Sequence, residues 1–179
     1  GEFMDKILIV DGNSLAYRAY YAMPLLTNGE GIYTGSLYGF LNMLLKVLDE
    51  AKPEYIVVAF DFSKKTFRNQ LYEPYKATRK ETPEELRAQC PLLKELLVTM
   101  GIKIIEVEGI EADDIIGTVA KSSGIENMIL SGDRDVLQLI DKKTSVWLTK
   151  KGISEIHKID ESNIKGVFGV DAKGIIELK

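Results

Sequence analysis

The first apolar run of the chain is Ile7-Leu8-Ile9-Val10-Asp11, in which four apolar side chains lead directly into a carboxylate. Continuous apolar runs of this length are typical of strands that are buried on both faces of a parallel sheet. Similar runs occur at residues 56–60, 104–107 and 128–130, and stretches with helical spacing separate them. This alternation predicts an α/β fold in three layers, PIN-like or Rossmann-like, with helices on both faces of a mostly parallel sheet. A hairpin is expected to follow, with strands at 145–148 and 153–156.

Acidic residues follow each of the four runs. Because parallel strands deliver their carboxyl ends to one edge of a sheet, where open α/β folds place their sites, we expect these acids to lie close together. Taken singly, each acid is equally consistent with a helix cap. As a set they favour a shared site. The set comprises Asp11, Asp61, Glu111, Asp113, Asp114, Asp133 and Asp135.

Crowded carboxylates are unfavourable unless a positive charge neutralises them, and hard divalent cations such as Mg²⁺ or Mn²⁺ prefer oxygen ligands. A two-ion site, with ions about 4 Å apart, would act on a phosphate group. The first ion is assigned to Asp11, Asp61, Glu111 and Asp113, with Asp114 close by; Asp133 bridges, and Asp135 serves the second ion. The single histidine and single cysteine exclude a zinc cluster built from those residue types.

Basic and aromatic residues alternate in the stretch that follows Asp61, which shows neither strand nor clear helical periodicity. Such runs are often only a solvated face. Interleaved rings favour single-stranded nucleic acid instead, because bases stack on aromatic side chains while cations follow the backbone. Arg18 is a candidate for a further phosphate contact. The segment contains Lys64, Lys65, Phe67, Arg68, Tyr72, Tyr75, Lys76, Arg79 and Lys80.

Composition places limits on the function. The net charge of −4 excludes binding to nucleic acid through overall charge alone, so a local basic surface is required. Cys90 is the only cysteine, which indicates a reducing compartment, and no apolar stretch is long enough to cross a bilayer. Residues 1–3 precede Met4 and are interpreted as an expression scar, so the predicted domain is 4–179.

The chain resembles the 5′-nuclease domain of bacterial DNA polymerase I, a member of the flap endonuclease superfamily. The resemblance runs from about residue 6 to the end of the chain. It rests on residues 9–14, Phe60-Asp61, Phe67-Arg68, residues 75–79, residues 111–114 and residues 131–135.

The resemblance implies cleavage of 5′ flaps and 5′ ends of DNA with two Mg²⁺ or Mn²⁺ ions held by the seven acids. It also implies that Arg18, Lys76 and Arg79 steer the scissile phosphate, and that residues 62–82 form a helical arch over the single strand. The DNA contacts would be Lys64, Lys65, Phe67, Arg68, Tyr75, Lys76 and Arg79. A bacterial cytoplasmic location and a polymerase fused downstream are further expectations.

One departure from the family pattern affects the expected activity. In the family, a Gly-Asp-x-Ser-Asp-Asn motif and a helix–hairpin–helix module follow, and neither lies within these 179 residues. The second metal site is then incomplete, so impaired cleavage is expected. Three alternatives remain: a DNA-binding fragment without catalysis, a PIN-type single-strand ribonuclease, and a phosphoaspartate receiver domain.

Overall fold

The computed structural model describes residues 5–23, 27–62, 82–150, 152 and 154–168. Strands and helices alternate along most of these residues. In chain order the elements are β1 (Lys6–Asp11), α1 (Gly12–Ala22), α2 (Gly35–Ala51), β2 (Tyr55–Ala59), α3 (Glu84–Thr99), β3 (Lys103–Ile105), α4 (Ala112–Ser122), β4 (Glu126–Ser131), a 3₁₀ helix (Arg134–Leu139), β5 (Thr144–Thr149), β6 (Ile156–Ile159) and α5 (Ile164–Phe168). Among them, no helix is long and apolar enough to cross a membrane.

The strands form one six-stranded sheet in the order β3-β2-β1-β4-β5-β6 within the described part of the chain. All neighbouring pairs are parallel except β5 and β6, which confirms the expected mostly parallel α/β class. From β1 the chain runs outward to β2 and β3, and then returns to the other side of β1 to form β4. Ligand crevices of open α/β sheets lie at such a reversal, beyond the carboxyl ends of the two strands. This places the residues after β1 and β4 side by side.

Each face of the sheet carries its own apolar core. Leu8 and Val10 of β1 pack with α1, α2 and α3, whereas Ile7 and Ile9 pack with α4, the 3₁₀ helix and α5. This alternation follows from the two-residue period of a strand. Full burial of one aliphatic side chain contributes roughly 1.5–3 kcal/mol, so a strand that is apolar on both faces is held firmly between the helical layers.

Two glycines allow α1 to pack closely against its neighbours. A Cβ on Gly12 would lie 2.6 Å from the Phe60 ring and 2.8 Å from the Ala59 carbonyl oxygen. On Gly39 of α2, a Cβ would lie 2.8 Å from the Ala19 Cβ of α1. Neither position has room for a side chain. The absence of side chains therefore sets how close α1 lies to the end of β2 and to α2.

Two predicted strands differ from those in the structure. The third ends at Ile105 rather than Val107, because the chain turns at 107–110, where the Ile110 N–H bonds to the Val107 carbonyl and Gly109 has φ +83°. The hairpin is present, but its second strand lies at 156–159 instead of 153–156. Its register sets Ile159 opposite Val146, and this pairing buries both side chains in the same core.

Candidate metal centre

Asp11 is a buried carboxylate at the end of β1. It is only 3% exposed, and it also forms the N-cap of α1. Its Oδ1 accepts a hydrogen bond from the Ser14 backbone N–H at 3.3 Å, and its Oδ2 accepts one from the Ser131 hydroxyl at 2.8 Å. Burial raises the pKa of Asp11 above its ordinary value, and the bonds from Ser131 and Ser14 oppose that increase. Asp11 is therefore a fixed, largely desolvated oxygen donor.

Asp61 links the end of β2 to the start of α4. Its backbone N–H donates to the Asn13 Oδ1 at 2.6 Å, and its Oδ1 accepts from the Ala112 N–H at 2.7 Å. Glu111 is the N-cap residue of α4 but makes no capping bond with its own side chain. Asp61 thus satisfies an unpaired N–H at the helix start, where the helix dipole also favours a negative charge. A carboxylate from a different strand holds the first turn of α4 in place.

The first turn of α4 presents its acids to solvent. Ala112, Ile115 and Ile116 are buried in the core beneath the helix, as the helical spacing predicts. Asp113 and Asp114 occupy the same turn and both reach solvent, although neighbouring atoms partly desolvate the Asp113 carboxyl group. The packing of the apolar side chains therefore fixes which way these two carboxylates face.

Asp133 and Asp135 follow β4, beside the end of β1. Asp133 is the N-cap of the 3₁₀ helix, and its Oδ1 accepts a hydrogen bond from the Asp135 N–H at 2.9 Å. The Asp133 backbone N–H donates to the Ser131 hydroxyl oxygen at 2.9 Å. Because the register sets Val10 opposite Leu130, Asp11 lies next to Ser131 at the edge of the sheet.

Mutual repulsion among the acids is visible at Asp113. Burial, followed by the charges of Asp11, Asp133, Asp61 and Glu111, raises the pKa of Asp113 to about 6. Carboxylates from the ends of four strands therefore act on one another, as expected for a shared site.

The donor chemistry fits a hard divalent cation. The four charged groups that raise the pKa of Asp113 are all carboxylates, and a cation between them would relieve this repulsion. As the side chains are placed, the described residues include no group of three or more His, Cys, Asp or Glu arranged to hold an ion. The ligand set of seven acids remains a prediction.

Arg18 lies on α1 beside the residues that follow β4. Its Nη1 donates to the Lys150 carbonyl oxygen at 2.9 Å. A Cβ on Gly132 would lie 3.6 Å from the Arg18 Nε and 3.0 Å from the Thr149 Oγ1. The guanidinium is thus adjacent to the residue that precedes Asp133, a position consistent with the predicted phosphate contact.

The predicted basic segment lies outside the described residues, but both of its flanks are described. Asp61 is bonded to Asn13, and the Thr82 hydroxyl forms a 2.7 Å hydrogen bond with the Tyr17 hydroxyl. Both flanks are therefore attached to α1, the helix capped by Asp11. The predicted contacts that fall outside the described residues are Lys64, Lys65, Phe67, Arg68, Tyr72, Tyr75, Lys76, Arg79 and Lys80.

Three polar residues of the site were not among the predicted site residues, although they lie in the stretches that carry the family resemblance. Asn13, Ser14 and Ser131 hold Asp61, Asp11 and Asp133 by hydrogen bonds. Apart from the resemblance, their signal in the sequence is a position next to a strand-end acid. Short polar residues at such positions usually serve turns and caps, so this signal is weak.

Sequence comparison identifies relatives over nearly the whole chain. The family described as 5′-3′ exonuclease, N-terminal resolvase-like domain, matches residues 6–169. DNA polymerase I of Bacillus subtilis (strain 168) is 45% identical over 177 residues, which cover 97% of this chain and 20% of that protein. DNA polymerase I of Caldicellulosiruptor bescii is 41% identical over 181 residues, covering 97% of this chain and 21% of the relative. The chain therefore spans about a fifth of the length of these polymerases.

Solved structures share the fold at low sequence identity. A T5 5′-exonuclease with bound zinc ions has a TM-score of 0.67 and 21% identity, covering 97% of this chain and 65% of that one. The catalytic core of Rad2 in complex with DNA substrate has a TM-score of 0.56 and 21% identity, covering 99% and 55%. The chain thus belongs to the 5′-3′ exonuclease family of N-terminal resolvase-like domains, with bacterial DNA polymerase I among its relatives.

Proposed function

We propose that this chain is the catalytic core of a metal-dependent 5′-3′ exonuclease and 5′-flap endonuclease that hydrolyses DNA phosphodiesters. One observation carries the proposal: the pKa of Asp113 is raised to about 6 by burial and by acids from the other strand ends. Repulsion of this kind costs stability and serves no structural purpose, whereas divalent cations would make it useful.

The proposed ligands are the seven acids, with Mg²⁺ or Mn²⁺ as the ions. Asp11, Asp61, Glu111 and Asp113 hold the first ion, with Asp114 close by; Asp133 bridges, and Asp135 serves the second. When bound, a pair of ions activates water and stabilises the leaving oxygen of an in-line phosphoryl displacement. The protein supplies the fixed geometry. Asp11 is held by two hydrogen bonds, and Asp61 is held at both its N–H and its side chain.

The proposed substrate is DNA with a 5′ flap or a 5′ end. Arg18, Lys76 and Arg79 would contact the scissile phosphate, and residues 62–82 would form the arch over the single strand. The attachment of both flanks of this segment to α1 supports the assignment, because the segment then starts and ends on the helix that Asp11 caps. Arch contacts are assigned to Lys64, Lys65, Phe67, Arg68 and Tyr75.

The polymerase relatives suggest the kind of protein in which this nuclease activity would occur. Since the chain matches about a fifth of their length, we place residues 4–179 as a nuclease domain in a longer protein with a polymerase. The second metal site and the grip on duplex DNA would be completed by segments outside these residues. The bacterial cytoplasm is the proposed compartment.

A 5′-labelled flap substrate tests the function. Cleavage by this chain, which we expect to be impaired, should require Mg²⁺ or Mn²⁺. Asp113→Ala should reduce it by a further factor of about 100 or more, because a proposed ligand carboxylate is lost. Asp49→Ala is the matched control: Asp49 is an exposed acid on α2, outside the site, and its loss should leave cleavage unchanged.

Two results would contradict the proposal. The first is product formation in EDTA, and the second is full activity of Asp113→Ala. Binding to the flap in Ca²⁺ without any product in Mg²⁺ would favour the alternative of a DNA-binding fragment without catalysis.

A further inference from the structure

We infer that the Ser131 hydroxyl is a positioning group that couples the carboxylate at the end of β1 to the carboxylate after β4. Ser131 is the last residue of β4 and is 0% exposed. This inference rests on the proposed metal-dependent function, because it concerns how two of the proposed ligands are held. Ser131 itself is not a proposed ligand.

The hydroxyl is shared between two strand ends. It donates to the Asp11 Oδ2 at 2.8 Å and accepts from the Asp133 backbone N–H at 2.9 Å. One oxygen atom therefore fixes both the side-chain orientation of Asp11 and the path of the backbone at Asp133. Since the two acids are 122 positions apart in sequence, only the pairing of β1 with β4 makes this link possible.

Ser14 adds a second hydroxyl to this link. The Ser14 and Ser131 hydroxyl oxygens lie 3.1 Å apart. The Ser14 hydroxyl also donates to the Asp11 carbonyl oxygen at 3.4 Å, and its oxygen accepts from the Gly132 N–H at 3.0 Å. These contacts thus run from α1 to β4 and back to Asp11.

Groups that orient metal ligands control ion affinity without touching the ion. Loss of such a partner typically weakens metal binding by roughly 10- to 100-fold. At Ser131 the loss would leave the Asp11 side chain held only by the 3.3 Å bond from the Ser14 N–H, and it would leave the Asp133 N–H without its acceptor. Both effects act on proposed ligands, so ion affinity should fall by more than a general loss of stability would explain.

Asn127 provides a matched structural control on the same strand. It is 1% exposed and lies toward the opposite end of β4. Its side-chain nitrogen donates to the Ala120 carbonyl at 2.8 Å and to the Thr144 hydroxyl at 3.1 Å. Asn127→Ala therefore removes buried hydrogen bonds from β4 as Ser131→Ala does, but far from the acids.

The test is a calorimetric titration with Mn²⁺, combined with thermal unfolding in EDTA. Relative to the unaltered chain, Ser131→Ala should bind Mn²⁺ roughly 10- to 100-fold more weakly. Asn127→Ala should lower the Tm in EDTA and keep the Mn²⁺ affinity of the unaltered chain. Ser14→Ala should weaken Mn²⁺ binding in the same direction by a smaller factor, and it decides the question if Ser131→Ala does not fold.

The outcomes distinguish failure of the Ser131 positioning role from failure of the proposed function. Mn²⁺ affinity that is equal in Ser131→Ala and the unaltered chain overturns the positioning role and leaves the proposed function standing. Equal weakening in Asn127→Ala also overturns it, since the effect would then be general. No Mn²⁺ binding by the unaltered chain contradicts the proposed function itself, and this inference with it.

Discussion

The pKa of Asp113 reflects both its burial and the charges of the neighbouring acids. Its pKa is raised from 3.8 to about 6, first by burial and then by four neighbouring carboxylates. The folded protein therefore holds this proton more tightly than the unfolded chain does. By linkage, that contribution to stability falls as the pH rises from 3.8 to about 6, and the full cost is present above pH 6.

Asp113→Asn should stabilise the protein in EDTA at pH 7.5, because the amide carries no charge. An increase in Tm on the order of 1–4 °C is expected, and it should disappear at pH 3.5, where Asp113 is protonated in both states. Thermal unfolding followed by circular dichroism across this pH range provides the measurement. Asp49→Asn serves as the control, and an Asp113→Asn Tm at or below that of the unaltered chain at pH 7.5 would contradict the expectation.

At the scale of elements, the close approach of α1 to α2 positions much of the site. Helix α1 carries Asn13, Ser14 and Arg18, and it lies against Gly39 of α2. A Cβ at position 39 would come within 2.8 Å of the Ala19 Cβ and 3.2 Å of its Cα. Because backbone cannot yield as a flexible side chain does, the two helices would have to separate.

Gly39→Ala should destabilise the fold by about 1–3 kcal/mol, the usual cost of overpacking. Urea unfolding measures the change. Gly166→Ala in α5 is the matched control: a Cβ there meets no atom within 4 Å, so this substitution should be neutral or stabilising by up to about 1 kcal/mol. Equal stability of Gly39→Ala and Gly166→Ala would show that α1 and α2 can move apart freely.

Apolar patterning predicted the elements well where burial is continuous. The run ending at Val10 and the helical spacing of Ala112, Ile115 and Ile116 both describe the structure correctly. Shorter signals did not fix the ends of elements. The third strand stops early because a turn competes with it, and the hairpin register depends on which isoleucine is buried opposite Val146.

The closeness of the strand-end acids to Asp113 could be expected from the sequence, because strand order gathers strand ends whatever the details of packing. Their role as metal ligands stays a prediction. Their supporting contacts could not be expected from the sequence. Asp61 capping α4, and Ser131 bridging Asp11 to Asp133, depend on atoms brought together from distant parts of the chain. No local spacing reveals such bonds, and only the pairing of β1 with its neighbours creates them.

At the scale of the whole molecule, ion binding should stabilise the fold. An ion that binds only the folded state contributes about 2.7 kcal/mol at 100 times its Kd, which corresponds to an increase in Tm of about 5–11 °C for a chain of this size. Differential scanning fluorimetry in increasing Mg²⁺, against EDTA, measures this shift. It should vanish in Asp113→Ala, and an unaltered Tm at saturating Mg²⁺ would exclude a site formed by the folded chain.

The fold should also tolerate replacement of residues 63–81 by a short Gly/Ser linker. Their flanks are tied to Asn13 and Tyr17, four positions apart on α1, which is about 6 Å along the helix axis. The described residues of both apolar cores lie on either side of this stretch. Thermal unfolding should therefore remain cooperative, and Mg²⁺ should still raise the Tm. Loss of cooperative unfolding would show that the replaced residues are needed for folding.

Helix α1 thus contacts Asp11 at its first turn, and through Asn13 and Tyr17 it also bonds to both flanks of residues 63–81. Doubling the length of a loop costs only about 0.6 kcal/mol in closure entropy. Segments of very different length can therefore connect Asp61 to Thr82. Under the proposed function, the folded core would carry the catalytic chemistry and the stretch at 63–81 would select the strand end, so that the two could vary independently.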